Sequence, residues 1–204
     1  LPLARLFATK YPVVGYDINR NRVKELQDGH DSTFEVSDEL LNDVLLTENP
    51  VISLKKEEDE KPKKGLFCSA DLMDIQNCNF YIVTVPTPVD DSNRPVLAPL
   101  YAASATLGKI LAKGDVVVYE STVYPGATEE ECVPILEKES GLTFNKDFFV
   151  GYSPERINPG DKERTVEKII KVTSGSTPEI AEKIDDLYAS VIGAGTYLAP
   201  GIKV

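Results

Sequence analysis

Residues 80–88, FYIVTVPTP, are the stretch of sequence that decides the fold. The first six are apolar or β-branched, which is typical of a strand buried on both faces of a sheet. Pro86 then ends the run, because proline cannot donate to a strand ladder. We therefore predict a central strand that ends where the polar segment Thr87-Pro88 begins.

Outward from this stretch, strands alternate with helices. Apolar runs predict further strands, and capping residues or capping boxes predict the helices between them. The predicted strands are 13–16, 116–119, 148–151 and 169–172, and the predicted caps are Asn19, Ser37, Thr128 with Glu131, and Ser176 with Glu179. This alternation indicates an α/β protein with a Rossmann-like, doubly wound, mostly parallel sheet.

The usual opening of such a sheet is not found in the sequence. A dinucleotide fold begins with a strand and a glycine-rich loop that leads into a helix. Here residues 1–4, LPLA, already have a helical pattern, with Pro2 in the first turn. We expect the first strand and its glycine-rich loop to lie upstream of residue 1.

Composition excludes several function classes. The 204 residues carry a net charge of −11, which argues against a nucleic-acid binder. The single histidine, His30, and three widely spaced cysteines argue against a metal site and favour a reducing, cytoplasmic compartment. No apolar run approaches the length of a membrane span. The charged run KKEEDEKPKK, residues 55–64, is interpreted as a solvated loop.

Polar residues follow the predicted strands, and ligands of parallel sheets bind at that edge. Asp17 follows the strand 13–16, where an acid can accept hydrogen bonds from the adenosine ribose and favour NAD over NADP. It can equally cap the following turn, and the sequence leaves both interpretations open. Glu120-Ser121-Thr122 and Ser153-Pro154-Glu155-Arg156 follow two other strands. Each segment alone is typical of an ordinary turn, but their succession along one edge indicates a site.

Three motifs together resemble the UDP-glucose/GDP-mannose dehydrogenase family, over essentially the whole chain. They are VTVPTP (83–88), ESTVYPGATEE (120–130) and GYSPERINPGD (151–161). The third looks most like the branch that acts on UDP-N-acetylhexosamines, since UDP-glucose dehydrogenases usually have PEFL-x-EG there. Arg156 replaces the aromatic residue and Pro159 the second glutamate of that pattern, so no catalytic role is transferred to that position.

The resemblance implies a function and a cofactor. The family oxidises the C6 alcohol of a nucleotide sugar to a carboxylate in two NAD-dependent steps, which here would provide a uronic acid for polysaccharide biosynthesis. Residues 1–204 would be its NAD-binding domain, without the central helix and the C-terminal UDP-sugar domain. The nucleophilic cysteine of the family lies in that C-terminal domain, in a Gly-Gly-x-Cys setting that none of Cys68, Cys78 or Cys132 has. The fragment alone is therefore expected to be inactive, and the full-length protein to be a homodimer.

The resemblance also implies site residues. By position, the cofactor would be bound by Asp17, Asn19, Arg22, Val85, Pro86, Thr87 and Thr122. Thr122 would also be catalytic, because it matches the hydroxyl near the nicotinamide and the reacting carbon. Glu155 matches a catalytic glutamate at the edge of the sugar pocket, and Arg156 would face the UDP-sugar. No metal is implied.

Two other interpretations remain open at this point. The chain can be part of a UDP-glucose 6-dehydrogenase, or a nucleotide-binding module without catalysis. A hydroxyacid dehydrogenase is disfavoured, because its catalytic base would have to be His30, which lies between two predicted helices, apart from the strand ends.

Overall fold

The computed structural model describes residues 1–52, 63–155 and 166–203, which form two compact units. The first unit contains residues 1–52, 63–78 and 166, and the second contains residues 79–155 and 167–203. Among the described residues, no helix combines the length and the apolar character needed to cross a bilayer. In chain order the helices and strands are α1 (Pro2–Ala8), β1 (Pro12–Tyr16), α2 (Arg20–Gln27), α3 (Asp38–Asn42), β2 (Gly65–Ser69), β3 (Phe80–Val83), α4 (Ala98–Gly108), β4 (Val116–Tyr119), α5 (Val133–Ser140), β5 (Phe149–Tyr152), β6 (Lys171–Gly175), α6 (Pro178–Ala189) and β7 (Thr196–Leu198).

The first unit is built on two parallel strands. Strands β1 and β2 pair in register from Pro12 opposite Gly65 to Tyr16 opposite Ser69. Parallel strands need a long crossover, and the crossover here includes α2 and α3. The predicted caps Asn19 and Ser37 are confirmed, since each side chain accepts a hydrogen bond from the first turn of its helix. The core of this unit consists of Ala8, Val23, Leu26, Val36, Leu41, Leu66 and Cys68.

The second unit has a five-stranded sheet in the order β3-β4-β5-β6-β7. Strand β4 lies between β3 and β5 and is parallel to both. Its four residues, Val116 to Tyr119, are all buried. Helices α4 and α5 pack together, and α6 packs on β5 and β6. The predicted α/β fold with a mostly parallel sheet is confirmed.

Within each unit, the strand order matches one part of the classic doubly wound order, 3-2-1-4-5-6. Within the first unit, β2-β1 matches strands 3-2, and within the second, β3-β4-β5 matches strands 4-5-6.

Strand β6 runs antiparallel to its neighbour β5. Tyr152 lies opposite Ser174, and Gly151 lies opposite Gly175. The start of β6 is therefore beside the carboxyl end of β5, which brings Lys171 to the edge where the predicted site residues lie. Gly151 also passes close under α6, where a Cβ atom would overlap Cδ1 of Ile184.

Several local predictions are wrong. Thr128 does not cap a helix: residues Thr128–Cys132 form a π-helical turn, and α5 begins only after it, with Pro134 in its first turn. Thr177, not Ser176, caps α6 by accepting from the amide of Ile180. Strands β2 and β7 were not predicted. The charged run 55–64 lies outside the described residues, except for its last two positions.

One buried carboxylate organises the loop that follows α2. Asp31 is 1% exposed and accepts hydrogen bonds from the amides of Thr33, Glu35 and Val36 and from the guanidinium of Arg22. Burial alone would raise the pKa of Asp31, but these hydrogen bonds outweigh it and lower the pKa to about 2. The loop between α2 and α3 therefore depends on the ionised form of Asp31.

We expect Asp31→Asn to lower the free energy of unfolding by about 1.5–3 kcal/mol near neutral pH. The NH₂ group of asparagine cannot accept the hydrogen bonds that the backbone amides and Arg22 now donate to the carboxylate. A lowered pKa stabilises the fold above the unfolded value of about 3.9, and this contribution is lost as the pH falls from there towards about 2. Urea unfolding of both proteins at about pH 7 and about pH 3 measures this, and the difference should shrink at the lower pH. The exposed Asp28→Asn is the matched control. Equal stability of the wild type and Asp31→Asn near pH 7 would contradict this role.

Candidate cofactor and substrate site

In the first unit, Asp17 directly follows β1. Its amide donates to the carbonyl of Ser69, which continues the pairing of β1 with β2. The side chain is exposed, and its Oδ1 accepts from the amide of Asn19 at 2.8 Å. No described residue donates to Oδ2. One oxygen of Asp17 thus caps the turn while the other faces no protein donor, so the two interpretations of this residue are compatible.

Asn19 and Arg22 have structural partners of their own. Asn19 Oδ1 accepts from the amides of Asn21 and Arg22, as an N-cap does. The Arg22 guanidinium donates to Glu25 Oε1 at 2.7 Å and to Asp31 Oδ1 at 2.6 Å. Arg22 therefore holds the loop after α2. A contact of Arg22 with the cofactor stays a prediction.

An apolar side chain that we did not predict lies beside Asp17. Ile18 is 83% exposed at the end of β1. An isolated exposed isoleucine is unremarkable by itself. Next to a carboxylate with one oxygen open, it offers an apolar contact for the flat face of a ring. The only sequence signal for it was its place directly after the strand.

In the second unit, the loops after β3 and β4 are joined by two hydrogen bonds. The hydroxyl of Thr87 donates to the carbonyl of Thr122 at 2.8 Å, and the hydroxyl of Ser121 donates to the carbonyl of Val85 at 2.6 Å. Pro86, between these contacts, is exposed. The predicted cofactor residues 85–87 and the predicted catalytic residue Thr122 therefore lie together, on loops held rigidly at one edge of the sheet.

Thr122 itself is exposed, and no described residue is bonded to its hydroxyl. Only its backbone carbonyl is used, by Thr87. Burial raises the pKa of Tyr152 at the end of β5, and the backbone of the next residue, Val123, lowers that pKa by less. The loop is thus fixed through its backbone, which leaves the Thr122 side chain available to a ligand.

Glu155 follows β5 at the same edge. Its amide donates to the carbonyl of Glu120 at 3.2 Å, which ties the segment after β5 to the end of β4. Its side chain is 43% exposed, and its carboxylate lies 3.8 Å from the ammonium of Lys171. Arg156, the other predicted substrate residue, lies outside the described residues.

Beneath this edge lies a buried polar cluster that we did not predict, composed of Glu120, Lys171 and Tyr188. Lys171 Nζ is 3.1 Å from Glu120 Oε2, and the phenol of Tyr188 donates to Glu120 Oε1 at 2.5 Å. Burial raises the pKa of Glu120, while Lys171 acts in the opposite direction. Burial also raises the pKa of Tyr188 well above its ordinary value, so the phenol keeps its proton.

Two of the three cysteines lie in the core, and the histidine lies at the surface. Cys68 and Cys132 are buried, and burial raises the pKa of Cys68 to about 11 and that of Cys132 in the same direction. A thiol that keeps its proton is a poor nucleophile. His30 is exposed and paired with Asp38 at 3.0 Å, which confirms its predicted surface position.

Comparison with known proteins places these features in a family. Residues 1–192 match the profile of the UDP-glucose/GDP-mannose dehydrogenase family, NAD binding domain. The chain is 57% identical over 204 residues to a UDP-N-acetyl-D-glucosamine 6-dehydrogenase of Pseudomonas aeruginosa and 50% identical to one of Salmonella typhi. All of the chain is covered in both cases, but only 44% of each relative. The chain therefore spans less than half the length of these relatives.

A solved structure confirms the Rossmann-like fold. The UDP-D-ManNAc dehydrogenase of Pyrococcus horikoshii superimposes with a TM-score of 0.80 at 29% identity. The superposition covers 98% of this chain and 44% of that chain.

Proposed function

Because this chain belongs to the UDP-glucose/GDP-mannose dehydrogenase family, as its NAD-binding domain, we propose that the whole protein oxidises the C6 alcohol of a UDP-N-acetylhexosamine to a carboxylate. The observation that carries the substrate class is the high identity, over all 204 residues, to enzymes named for UDP-N-acetyl-D-glucosamine. The SPERINPGD segment supports the same branch of the family.

The overall reaction needs an electron acceptor and water. An alcohol carbon that becomes a carboxylate gives up two pairs of electrons and gains one oxygen atom from water. NAD, when bound, supplies the acceptor: two NAD⁺ and one water are consumed for each sugar, and two NADH and three protons are released. The described residues fit such a cofactor, because Asp17 keeps one carboxylate oxygen open and Thr122 keeps its hydroxyl open.

The proposed site residues then have distinct roles. Asp17 accepts hydrogen bonds from ribose hydroxyls and disfavours a 2′-phosphate by its charge. Residues 85–87 lie along the cofactor, held by the bonds from Ser121 and Thr87. Thr122 orients the reacting C6 oxygen or a water molecule, and Glu155 borders the sugar.

The remaining proposals concern the whole protein. We propose a cytoplasmic homodimer whose UDP-sugar domain and nucleophilic cysteine lie outside residues 1–204. The three free cysteines support a reducing compartment. The net charge of −11 supports a protein that does not bind nucleic acid.

The decisive experiment assays the full-length protein with NAD against UDP-GlcNAc, UDP-GalNAc, UDP-ManNAc and UDP-glucose, following NADH by absorbance. We expect a UDP-N-acetylhexosamine to be oxidised with the highest kcat/KM and with two NADH formed per sugar. The 204-residue chain alone should produce none. Preference for UDP-glucose would support the alternative dehydrogenase, and no NADH with any sugar would support a module without catalysis.

In the full-length enzyme, Asp17→Ala should raise the KM for NAD and narrow the preference for NAD over NADP. A carboxylate bonded to ribose hydroxyls contributes about 1.5–3 kcal/mol, or roughly 10- to 150-fold in affinity. Asp17→Asn separates the two roles, because its carbonyl can still cap the turn while the charge is gone. Asp28→Ala is the control for a lost surface carboxylate. An unchanged NAD/NADP ratio in both Asp17 variants would show that the residue only caps the turn.

Thr122→Ala should lower kcat far more than it raises the KM for the sugar. A group that positions water or the reacting oxygen acts mainly in the transition state, and its loss costs about 10²–10⁴-fold in rate. Thr122→Ser keeps the hydroxyl and should recover most of the rate. A folded Thr122→Ala enzyme with a kcat within about threefold of the wild type would remove Thr122 from the mechanism.

A further inference from the structure

The cluster of Glu120, Lys171 and Tyr188 carries charge where solvent cannot reach it. The three residues are 2%, 3% and 0% exposed. Removing two charges from water is expensive, and well-packed apolar residues in their place are often as stable or more so. Stability alone is therefore a weak reason for this cluster, and its contacts point to another.

Lys171 links the buried carboxylate to the segment after β5. Its ammonium lies 3.1 Å from Glu120 Oε2, donates to the carbonyl of Pro154 at 3.3 Å and lies 3.8 Å from Glu155 Oε2. One charge thus contacts the backbone and the side chain of the same segment. Tyr188 holds the other oxygen of Glu120, so the carboxylate cannot turn away from Lys171.

The same segment is anchored from its other side by β4. The amide of Ser153 donates to the carbonyl of Tyr119 at 2.9 Å, and the amide of Glu155 donates to the carbonyl of Glu120 at 3.2 Å. These bonds fix the backbone at Ser153 and Glu155 but leave the carbonyl of Pro154 between them. The described residue that holds this carbonyl is Lys171.

We propose that Lys171 is a positioning residue for the sugar site: oriented by Glu120 and Tyr188, its ammonium fixes residues 153–155 and thereby the carboxylate of Glu155. The consequence for sugar oxidation rests on the proposed function. The effect on the backbone does not, since it follows from the contacts of Lys171 alone.

The backbone effect is measured by hydrogen exchange and mass spectrometry on the full-length protein. Lys171→Met leaves Glu120 charged and unpaired, so the double variant Lys171→Met/Glu120→Gln is made as well, in which no unpaired buried charge remains. In both, the amides of Ser153 and Glu155 should exchange faster than in the wild type, while those of β4 keep their protection. Lys171→Arg should restore the slow exchange.

Kinetics of the same variants measure the consequence. Displacement of a contact group by about 1 Å costs up to roughly 100-fold, so kcat/KM for the UDP-sugar should fall about 10- to 100-fold, with the KM for NAD within about threefold. Lys171→Arg should recover most of the loss. The control is Lys113→Met, which removes an exposed lysine from its ion pair with Asp147. This variant should change neither the exchange rates of residues 153–155 nor kcat/KM.

Two results would overturn the proposal. One is unchanged exchange at Ser153 and Glu155 in a folded double variant. The other is a loss of kcat/KM that falls equally on the sugar and on NAD, as a general loss of folded enzyme would give. If the wild type forms no NADH with any UDP-sugar, the proposed function fails, and the exchange measurements still decide whether Lys171 positions residues 153–155.

Discussion

Strand β4 is hydrogen-bonded along both edges and buried along its whole length, and the second unit depends on that constraint. A strand in this position can carry almost no polar side chain, because each polar atom would need a partner inside the core. The one exception shows the rule: the phenol of Tyr119 is satisfied by the hydroxyl of Ser104 at 2.6 Å. Polar chemistry is therefore displaced to the residues just beyond the strand, where Glu120, Ser121 and Thr122 follow.

Two of these three residues bind other parts of the protein, and the third is exposed. Glu120 turns into the core and finds one partner for each carboxylate oxygen. Ser121 bonds across to the loop after β3. Thr122, the third, leaves its side chain exposed. A network in which every polar group has a partner is rigid, and it lies beneath the hydroxyl of Thr122. A rigidly held group can stabilise a transition state without the free energy of first being reoriented.

The sequence predicted the elements whose local pattern is strong, and it missed those that depend on distant partners. The run Val116–Tyr119 was predicted with its observed bounds, because four consecutive apolar or aromatic residues leave little choice. Strand β7 is an exposed edge strand, and only its pairing with β6 defines it. The direction of β6 was also missed, because a period of two carries no information on whether neighbours run parallel.

The same distinction applies to the candidate site. The ends of the predicted strands pointed to Asp17 in the first unit and to Thr122 and Glu155 in the second, and their roles stay predictions. Lys171 was not found, because it reaches the edge only through the antiparallel direction of β6. Arg22 was assigned to the cofactor by resemblance alone, and its bond to Asp31, nine residues away, had no signal in the sequence.

That bond to Asp31 bears on the proposed choice between NAD and NADP. A 2′-phosphate is accommodated when an arginine near the ribose is available to it. In the first unit the guanidinium of Arg22 already contacts two carboxylates, Glu25 and Asp31, so its charge is compensated within the protein. Asp17 has no such cation among the described ion pairs, and among the described residues the hydrogen bond to its side chain comes from the amide of Asn19. The electrostatic field at the end of β1 is thus set by a carboxylate that has no cationic partner among the described residues, and a negative charge of this kind would repel a 2′-phosphate. Selectivity for NAD would then have two sources. One is the charge of Asp17, and the other is the pairing of Arg22 with Glu25 and Asp31, which leaves its guanidinium unavailable to a 2′-phosphate.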